Sequence, residues 1–122
     1  MWFKVDDKFH GSKKLNQIPK RARFGAAGLW AIAGSWCGDQ LTDGSVPDYM
    51  IKLWGPPPSA ASALVDVGLW EKTSTGYRFL NWAEYQPTKA DVEEDRKRTR
   101  ERVAEWRAKK RNGESDANLE DS

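Results

Sequence analysis

Apolar residues recur every three or four positions through a stretch near the start of the chain that carries no charge. The stretch is FGAAGLWAIAGSWCG, residues 24–38. The recurring positions in it and just after it are Leu29, Ala33, Trp36, Cys37 and Leu41. Such spacing places the side chains on one face of a helix. The pattern therefore predicts a buried helix from about residue 20 to residue 40.

The same uncharged stretch is also a candidate for a membrane segment. It is 15 residues long, whereas about 20 apolar residues are needed to span a bilayer. Asp6 and Asp7 precede it, and acidic residues are atypical of the start of a signal peptide. Gly25, Gly28 and Gly34 lower the helix propensity and indicate close packing against neighbouring elements. We therefore expect a helix buried in a soluble fold, and no membrane partner.

Turn residues and a helix start follow this first helix. Asp43 and Gly44 favour a turn, and Ser45-Val46 is long enough for a very short strand. Pro47 suits the first turn of a second helix, PDYMIKLW, which Gly55 would end.

A third helix and a hairpin are predicted after the proline run at 56–58. SAASALVDVG, residues 59–68, reads as a helix with Leu64, Val65 and Val67 facing inward. LWEKT and YRFLN, two β-rich runs around a short polar segment with Gly76, predict a hairpin. This order is that of a winged helix-turn-helix, in which the third helix enters the major groove and the hairpin is the wing. The expected fold class is mainly α with a small β-hairpin wing.

A long charged helix is predicted after the wing. Thr88-Lys89-Ala90-Asp91 is a capping box, and Pro87 and Val92 can form a hydrophobic staple beside it. The final stretch, NGESDANLEDS, is acidic and rich in small residues, which predicts disorder. The chain therefore divides into a winged helix-turn-helix domain at 1–86, a basic C-terminal helix at 87–111 and a disordered acidic tail at 112–122.

Charge is strongly segregated along the chain, although the formal net charge is only +2. Residues 12–23 contain five basic side chains and no acidic one, and residues 87–111 contain ten basic and six acidic ones. Residues 24–86 have three basic against six acidic side chains. A polyanion would therefore meet the two flanks of the chain rather than its centre.

The candidate DNA contacts come from the two basic flanks, the predicted wing and the third helix. In the C-terminal helix, five cations fall within an arc of about 60° at 100° per residue, with Glu93 the only acidic residue among them. They form a basic stripe suited to phosphates. An ordinary solvated helix is the alternative for this pattern. The candidates are Lys13, Lys14, Lys20, Arg21, Arg23, Ser59, Ser62, Lys72, Thr73, Ser74, Arg78, Lys89, Arg96, Arg100, Arg107 and Arg111.

The third helix lacks the residues that most often read bases. It carries no Lys or Arg, and offers only Ser59 and Ser62 as polar contacts. Ala60 or Ala61 would suit a thymine methyl group, and the helix N-terminus would suit a phosphate. This composition predicts weak sequence discrimination. An equal alternative is that the helix is simply packed or faces a protein partner.

Four stretches of the chain resemble winged-helix proteins encoded by actinobacterial phages. They are WFKVDDKFH, LWAIAGSWCGDQLTDGSVP, ALVDVGLWE and YRFLNWAEYQPTKADVE, and the resemblance covers about residues 1–98. In that family the domain occurs alone or at the N-terminus of replication-initiation and replisome-organiser proteins. The resemblance implies double-stranded DNA binding inside a bacterial host. This chain departs from it by ending too soon for a downstream replication domain and by a third helix that lacks basic residues.

No constellation for catalysis or for cofactor or metal binding is apparent in the sequence, so an enzyme is not expected. Cys37 is the only cysteine, which fits a reducing cytoplasm. Two functions remain: a phage DNA-binding protein acting in replication or transcription, and a winged-helix module that binds a host or phage replication or transcription factor. A homodimer through Val92, Val103 and Trp106 is a further possibility.

Overall fold

The computed structural model describes the backbone of residues 2–121 and the side chains of residues 2–112. The chain is mainly helical, with a small three-stranded antiparallel sheet and a long C-terminal helix. It comprises two compact units, Met1–Thr88 and Lys89–Ser122. The helices are α1 Lys13–Gln17, α2 Lys20–Gln40, α3 Asp48–Trp54, α4 Ala60–Asp66, α5 Trp82–Tyr85 and α6 Lys89–Asp121, and the strands are β1 Ser45–Pro47, β2 Trp70–Lys72 and β3 Gly76–Phe79.

Helix α2 confirms the predicted central helix. It begins after Pro19 and ends where Leu41 adopts a left-handed conformation with a φ of 56°. Leu29, Ala33 and Cys37 are buried on the predicted face. The small side chains on this face let α4 pack closely against α2.

The sheet joins the predicted hairpin to the short strand before α3. Its order is β1-β3-β2, and both pairings are antiparallel. Val46 lies opposite Tyr77, and Pro47 lies opposite Gly76. A Cβ atom on Gly76 would collide with the backbone carbonyl of Val46, so this position needs glycine for close approach of the two strands.

The N-terminal segment is anchored by one aromatic ring. Phe3 stacks on Trp82 with ring centroids 5.9 Å apart and meets Trp30 edge-to-face at 5.0 Å. Its ring also covers Gly34, where any side chain would collide with it. Residues 2–8 form no strand, and a single 3-10 turn follows at Phe9–Gly11.

A pair of hydrogen bonds fastens the same segment to the end of the first unit. The Lys4 N–H donates to Gln86 Oε1 at 2.9 Å, and Gln86 Nε2 donates to the Lys4 carbonyl at 2.6 Å. Gln86 is buried, and these bonds satisfy both ends of its amide. Residues 82 positions apart are thereby joined.

The second unit is the helix α6, which begins at Lys89 as the capping box predicts. Its bounds take in the segment 112–121, for which the sequence predicted disorder. The side chains of residues 113–122 lie outside the described part of the structure, and the disordered acidic tail stays a prediction.

Replacing Gly34 by alanine tests how tightly the N-terminal segment is held. Gly34→Ala should destabilise the protein by about 2 kcal/mol, because its methyl group displaces the Phe3 ring. In a Phe3→Ala background the same change should stabilise by about 1 kcal/mol, because alanine is the better helix former. Urea denaturation of the two single variants and the double variant measures the difference. Equal effects of Gly34→Ala in both backgrounds would contradict this packing.

Candidate nucleic-acid interface

The first basic flank covers α1 and the first turn of α2. Lys13 lies in α1, Lys20 and Arg21 begin α2, and all three are exposed. Lys14 is also exposed, and its Nζ donates to the carbonyl of Gly68 at 3.2 Å. Since Gly68 follows α4, this bond brings the basic flank beside the C-terminal end of the third predicted helix.

Arg23 has a different role from its basic neighbours. Its Nε and Nη2 donate to the Ile18 carbonyl at 3.2 and 3.0 Å, and Nη2 also donates to the Asn16 carbonyl at 3.0 Å. Those carbonyls lie at the end of α1, where no following helical turn supplies N–H donors to them. The Arg23 guanidinium therefore joins α1 to α2, which the spacing of basic residues in the sequence did not reveal.

Helix α4 turns its alanines inward. Ala60 and Ala61 are only 1% and 8% exposed. The expected contact of either alanine with a thymine methyl group was therefore wrong, because both methyl groups lie in the core. Ser59 and Ser62 are exposed, and the Ser62 hydroxyl donates to the Ser59 carbonyl at 3.1 Å. Ser59 precedes the helix and makes no side-chain capping bond.

The predicted wing is formed by β2 and β3. Thr73 Oγ1 accepts the Gly76 N–H at 3.1 Å, which closes the turn, and Ser74 is exposed at its tip. Lys72 Nζ lies 4.5 Å from the centre of the Tyr77 ring on the opposite strand, a cation–π contact. Three of the predicted DNA contacts, Lys72, Thr73 and Ser74, therefore lie at or beside this turn.

Arg78 is neutralised within the wing. It lies directly opposite Glu71 in the register of β2 and β3, and the two side chains form an ion pair. The sequence analysis did not identify Glu71 as a partner, although the predicted hairpin could have paired the two residues by register. Lys72 is consequently the wing cation without an acidic partner among the described residues.

The basic stripe of α6 is exposed to solvent. Arg96, Arg100, Arg107 and Arg111 are all exposed, as is Lys89 at the helix start. From Lys89 to Arg111 the stripe is about 33 Å long at 1.5 Å per residue. Arg98, on the far side of the helix, lies 4.0 Å from Glu94 one turn earlier.

The three apolar residues of α6 predicted to form a dimer seam, Val92, Val103 and Trp106, differ in their exposure to solvent. Val103 and Trp106 are 37% and 58% exposed, whereas Val92 is 8% exposed. Lys110 Nζ lies 5.1 Å from the centre of the Trp106 ring. The three predicted dimer residues therefore do not form one continuous exposed surface, and the homodimer stays a prediction.

The remaining chemistry of the described residues is limited. Burial raises the pKa of the Cys37 thiol to about 11, and the thiol donates to the Ser45 carbonyl at 3.4 Å. His10 Nδ1 lies 3.1 Å from the Asp7 carbonyl. No group of three His, Cys, Asp or Glu side chains among the described residues is arranged to hold a metal ion. Within the same part of the chain, no helix has the length and apolar character of a membrane span.

Comparison of the chain with known protein families, curated proteins and solved structures finds no match.

Substitution of Arg23 separates its structural role from simple charge. Arg23→Lys keeps the charge but loses the forked donation to Ile18 and Asn16, so we expect destabilisation by about 1–2 kcal/mol. Arg21→Lys is the matched control, because Arg21 is exposed and should change the free energy of unfolding by less than about 0.5 kcal/mol. Urea denaturation measures both, and equal values for the two variants would contradict the assignment.

Proposed function

We propose that this protein binds double-stranded DNA as a winged helix-turn-helix protein of the phage type. In this proposal it acts in the cytoplasm of a bacterial host, as a replication accessory protein or a transcriptional regulator. Contact with DNA comes mainly from the basic flanks and the wing. The resemblance of residues 1–98 to winged-helix proteins of actinobacterial phages supports this class.

The order of elements supports the fold part of the proposal. Helices α2, α3 and α4 precede the β2–β3 hairpin, and β1 completes the sheet beside β3. In a helix-turn-helix protein the second helix of the pair lies in the major groove. By this correspondence α4 is the groove helix, and the turn at Thr73–Gly76 is the tip of the wing.

The basic stripe of α6 is the observation that carries DNA binding. Five cations face one direction over about 33 Å, which is close to one turn of B-DNA. Acidic residues gather on the far side of the helix, where Glu94 pairs with Arg98. The far side carries both signs, since Arg98, Arg102 and Lys109 also lie there. On the face of the stripe Glu93 is the single acidic residue among the five cations. This excess of cations on one face fits a polyanion along it.

The contacts available to α4 indicate how specific the binding would be. Its exposed positions offer hydroxyl groups from Ser59 and Ser62 and the carboxylate of Asp66, with no Arg or Lys to pair with guanine. Phosphate contacts fix position but carry no sequence information. We therefore propose binding that depends strongly on salt and weakly on sequence.

A protein-binding role is the second candidate, and it has an observation of its own. Tyr49 and Leu53 on α3 are 67% and 74% exposed. Large exposed apolar side chains mark protein contact surfaces more often than DNA-binding ones. On this alternative, α3 and α4, which carries no Lys or Arg, would engage a replication or transcription factor of the host or phage.

Neutralising the stripe tests DNA binding directly. The triple variant Arg96→Gln, Arg100→Gln and Arg107→Gln should weaken binding to a random duplex. It should also reduce the slope of log K against log salt by about 3, because each lost phosphate contact removes about 0.9. Fluorescence anisotropy of a labelled duplex at several salt concentrations measures both quantities.

The far face of α6 provides a control of equal charge. Arg98→Gln, Arg102→Gln and Lys109→Gln remove the same three charges on the side where the acidic residues lie. This variant should retain the wild-type salt slope. An equal loss of DNA affinity in both triple variants would indicate that net charge alone determines binding. Absence of DNA binding by the wild-type protein at low salt would favour the protein-binding candidate.

Releasing Arg78 tests the contribution of the wing. Glu71→Gln removes the acidic partner, so we expect tighter DNA binding and a salt slope steeper by up to about 0.9. Glu84→Gln, at an exposed position in α5, removes the same charge away from the wing and serves as control. If both variants bind DNA equally well, Arg78 is not a phosphate contact.

A further inference from the structure

One side of α2 is exposed and lacks charge along most of its length. Phe24 is 88% exposed and Ile32, two turns later, is 51% exposed. Small exposed residues lie between and beside them, namely Gly28, Ala31 and Ser35. We call this set of five residues the α2 face. Exposure of a whole phenylalanine ring to water is unfavourable and marks contact surfaces.

Gly28 has no role inside the molecule that explains it. A Cβ atom on Gly25 would approach Pro57 Cγ to 3.0 Å, and one on Gly34 would collide with the Phe3 ring. A Cβ atom on Gly28 would meet nothing within 4 Å. Glycine in the middle of a helix lowers its stability relative to alanine. The missing side chain at Gly28 leaves a hollow that opens outward on the α2 face.

Opposite charges stand at the two ends of the α2 face. Arg21 and Asp39 are eighteen residues apart, which is five turns, so they lie on one line along the helix. Between residues 24 and 38 the helix has no charged side chain. Each charge also opposes the helix dipole, which favours acidic side chains at the N-terminus and basic ones at the C-terminus.

These features fit a second copy of the same helix packed in the antiparallel direction. A twofold axis midway between residues 21 and 39 places Arg21 of each copy beside Asp39 of the other. The same axis places Ile32 opposite Gly28, so that a branched side chain fills each hollow. It also brings the N-terminus of one helix dipole to the C-terminus of the other, which relieves both unfavourable charge placements.

We propose that the protein forms a twofold symmetric dimer through the α2 face. Its interface is self-complementary in charge and in shape, as a twofold dimer requires. This surface is separate from the seam on α6 predicted from the sequence. The dimer does not depend on DNA binding. Lys13, Lys14 and Lys20 lie outside its interface, whereas Arg21, a candidate DNA contact, would pair with Asp39 of the second copy.

A charge-reversal mixing experiment tests the dimer. Arg21→Asp places like charges against Asp39, and Asp39→Arg places like charges against Arg21, so each variant alone should raise the dimer dissociation constant about tenfold or more. An equimolar mixture restores both pairs, so it should form the heterodimer with near wild-type affinity. Sedimentation velocity of the full chain, with one variant fluorescently labelled, measures each species.

Loss of the dimer in these variants should not reflect unfolding, because each reversal agrees with the helix dipole and should preserve or raise the melting temperature of the monomer. A mixture no more associated than the separate variants would overturn the antiparallel pairing. A wild-type chain that remains monomeric at all concentrations studied would overturn the dimer itself.

A second variant tests the hollow at Gly28 without altering any charge. Gly28→Leu fills the space that Ile32 of the second copy would occupy, so we expect dissociation of the dimer with an intact monomer fold. Gly11→Leu is the matched control, because Gly11 is also exposed with nothing within 4 Å of a Cβ atom. Equal dimer affinity in both leucine variants would overturn the proposed contact.

Discussion

The packing of four aromatic rings around Phe79 holds the first unit together. The Phe79 ring meets Trp82 and Trp70 with centroids 5.2 and 5.3 Å apart, and it meets Phe3 and Trp30 at 6.2 Å. These rings come from the N-terminal segment, α2, β2 and α5. Edge-to-face contacts are directional as well as apolar, so this cluster fixes the angles between elements that share few backbone hydrogen bonds.

The β2–β3 hairpin depends on that cluster for its orientation. Phe79 ends β3 and lies opposite Trp70 in the register with β2. Arg78, the preceding residue, lies opposite Glu71. Alternate residues of a strand point to opposite faces, so burial of Phe79 sets which of its neighbours remain in solvent. The electrostatic properties of the hairpin are therefore set by the core.

Local sequence patterns predicted the elements better than their contacts. Helical spacing located α2, and the capping box located the start of α6, because both depend on residues within a few positions of one another. The pairing of β1 with β3 and the docking of Phe3 on Gly34 join residues that are distant in the sequence. No periodicity within one segment encodes such contacts.

The candidate interface shows the same division. Sequence identified the basic flanks and the stripe on α6, because charge clusters can be read without a fold. It did not separate Lys20, which is free to meet solvent, from Arg23, which caps the carbonyls at the end of α1. It also placed Ala60 and Ala61 on an outer surface. Leu64, which the sequence predicted to face inward, lies one turn after Ala60 on the same face and is buried with it. Which side chains contact one another depends on the three-dimensional arrangement of the elements.

The bonds between Lys4 and Gln86 have a consequence for how the protein is made on the ribosome. Lys4 is synthesised 82 residues before Gln86, the residue to which it is bonded. The bonds between the two residues can therefore form only after Gln86 has left the exit tunnel. Contacts of such long sequence separation slow folding. Closure of this unit is thus a late event, and an incomplete nascent chain would expose the aromatic residues that Phe3 covers.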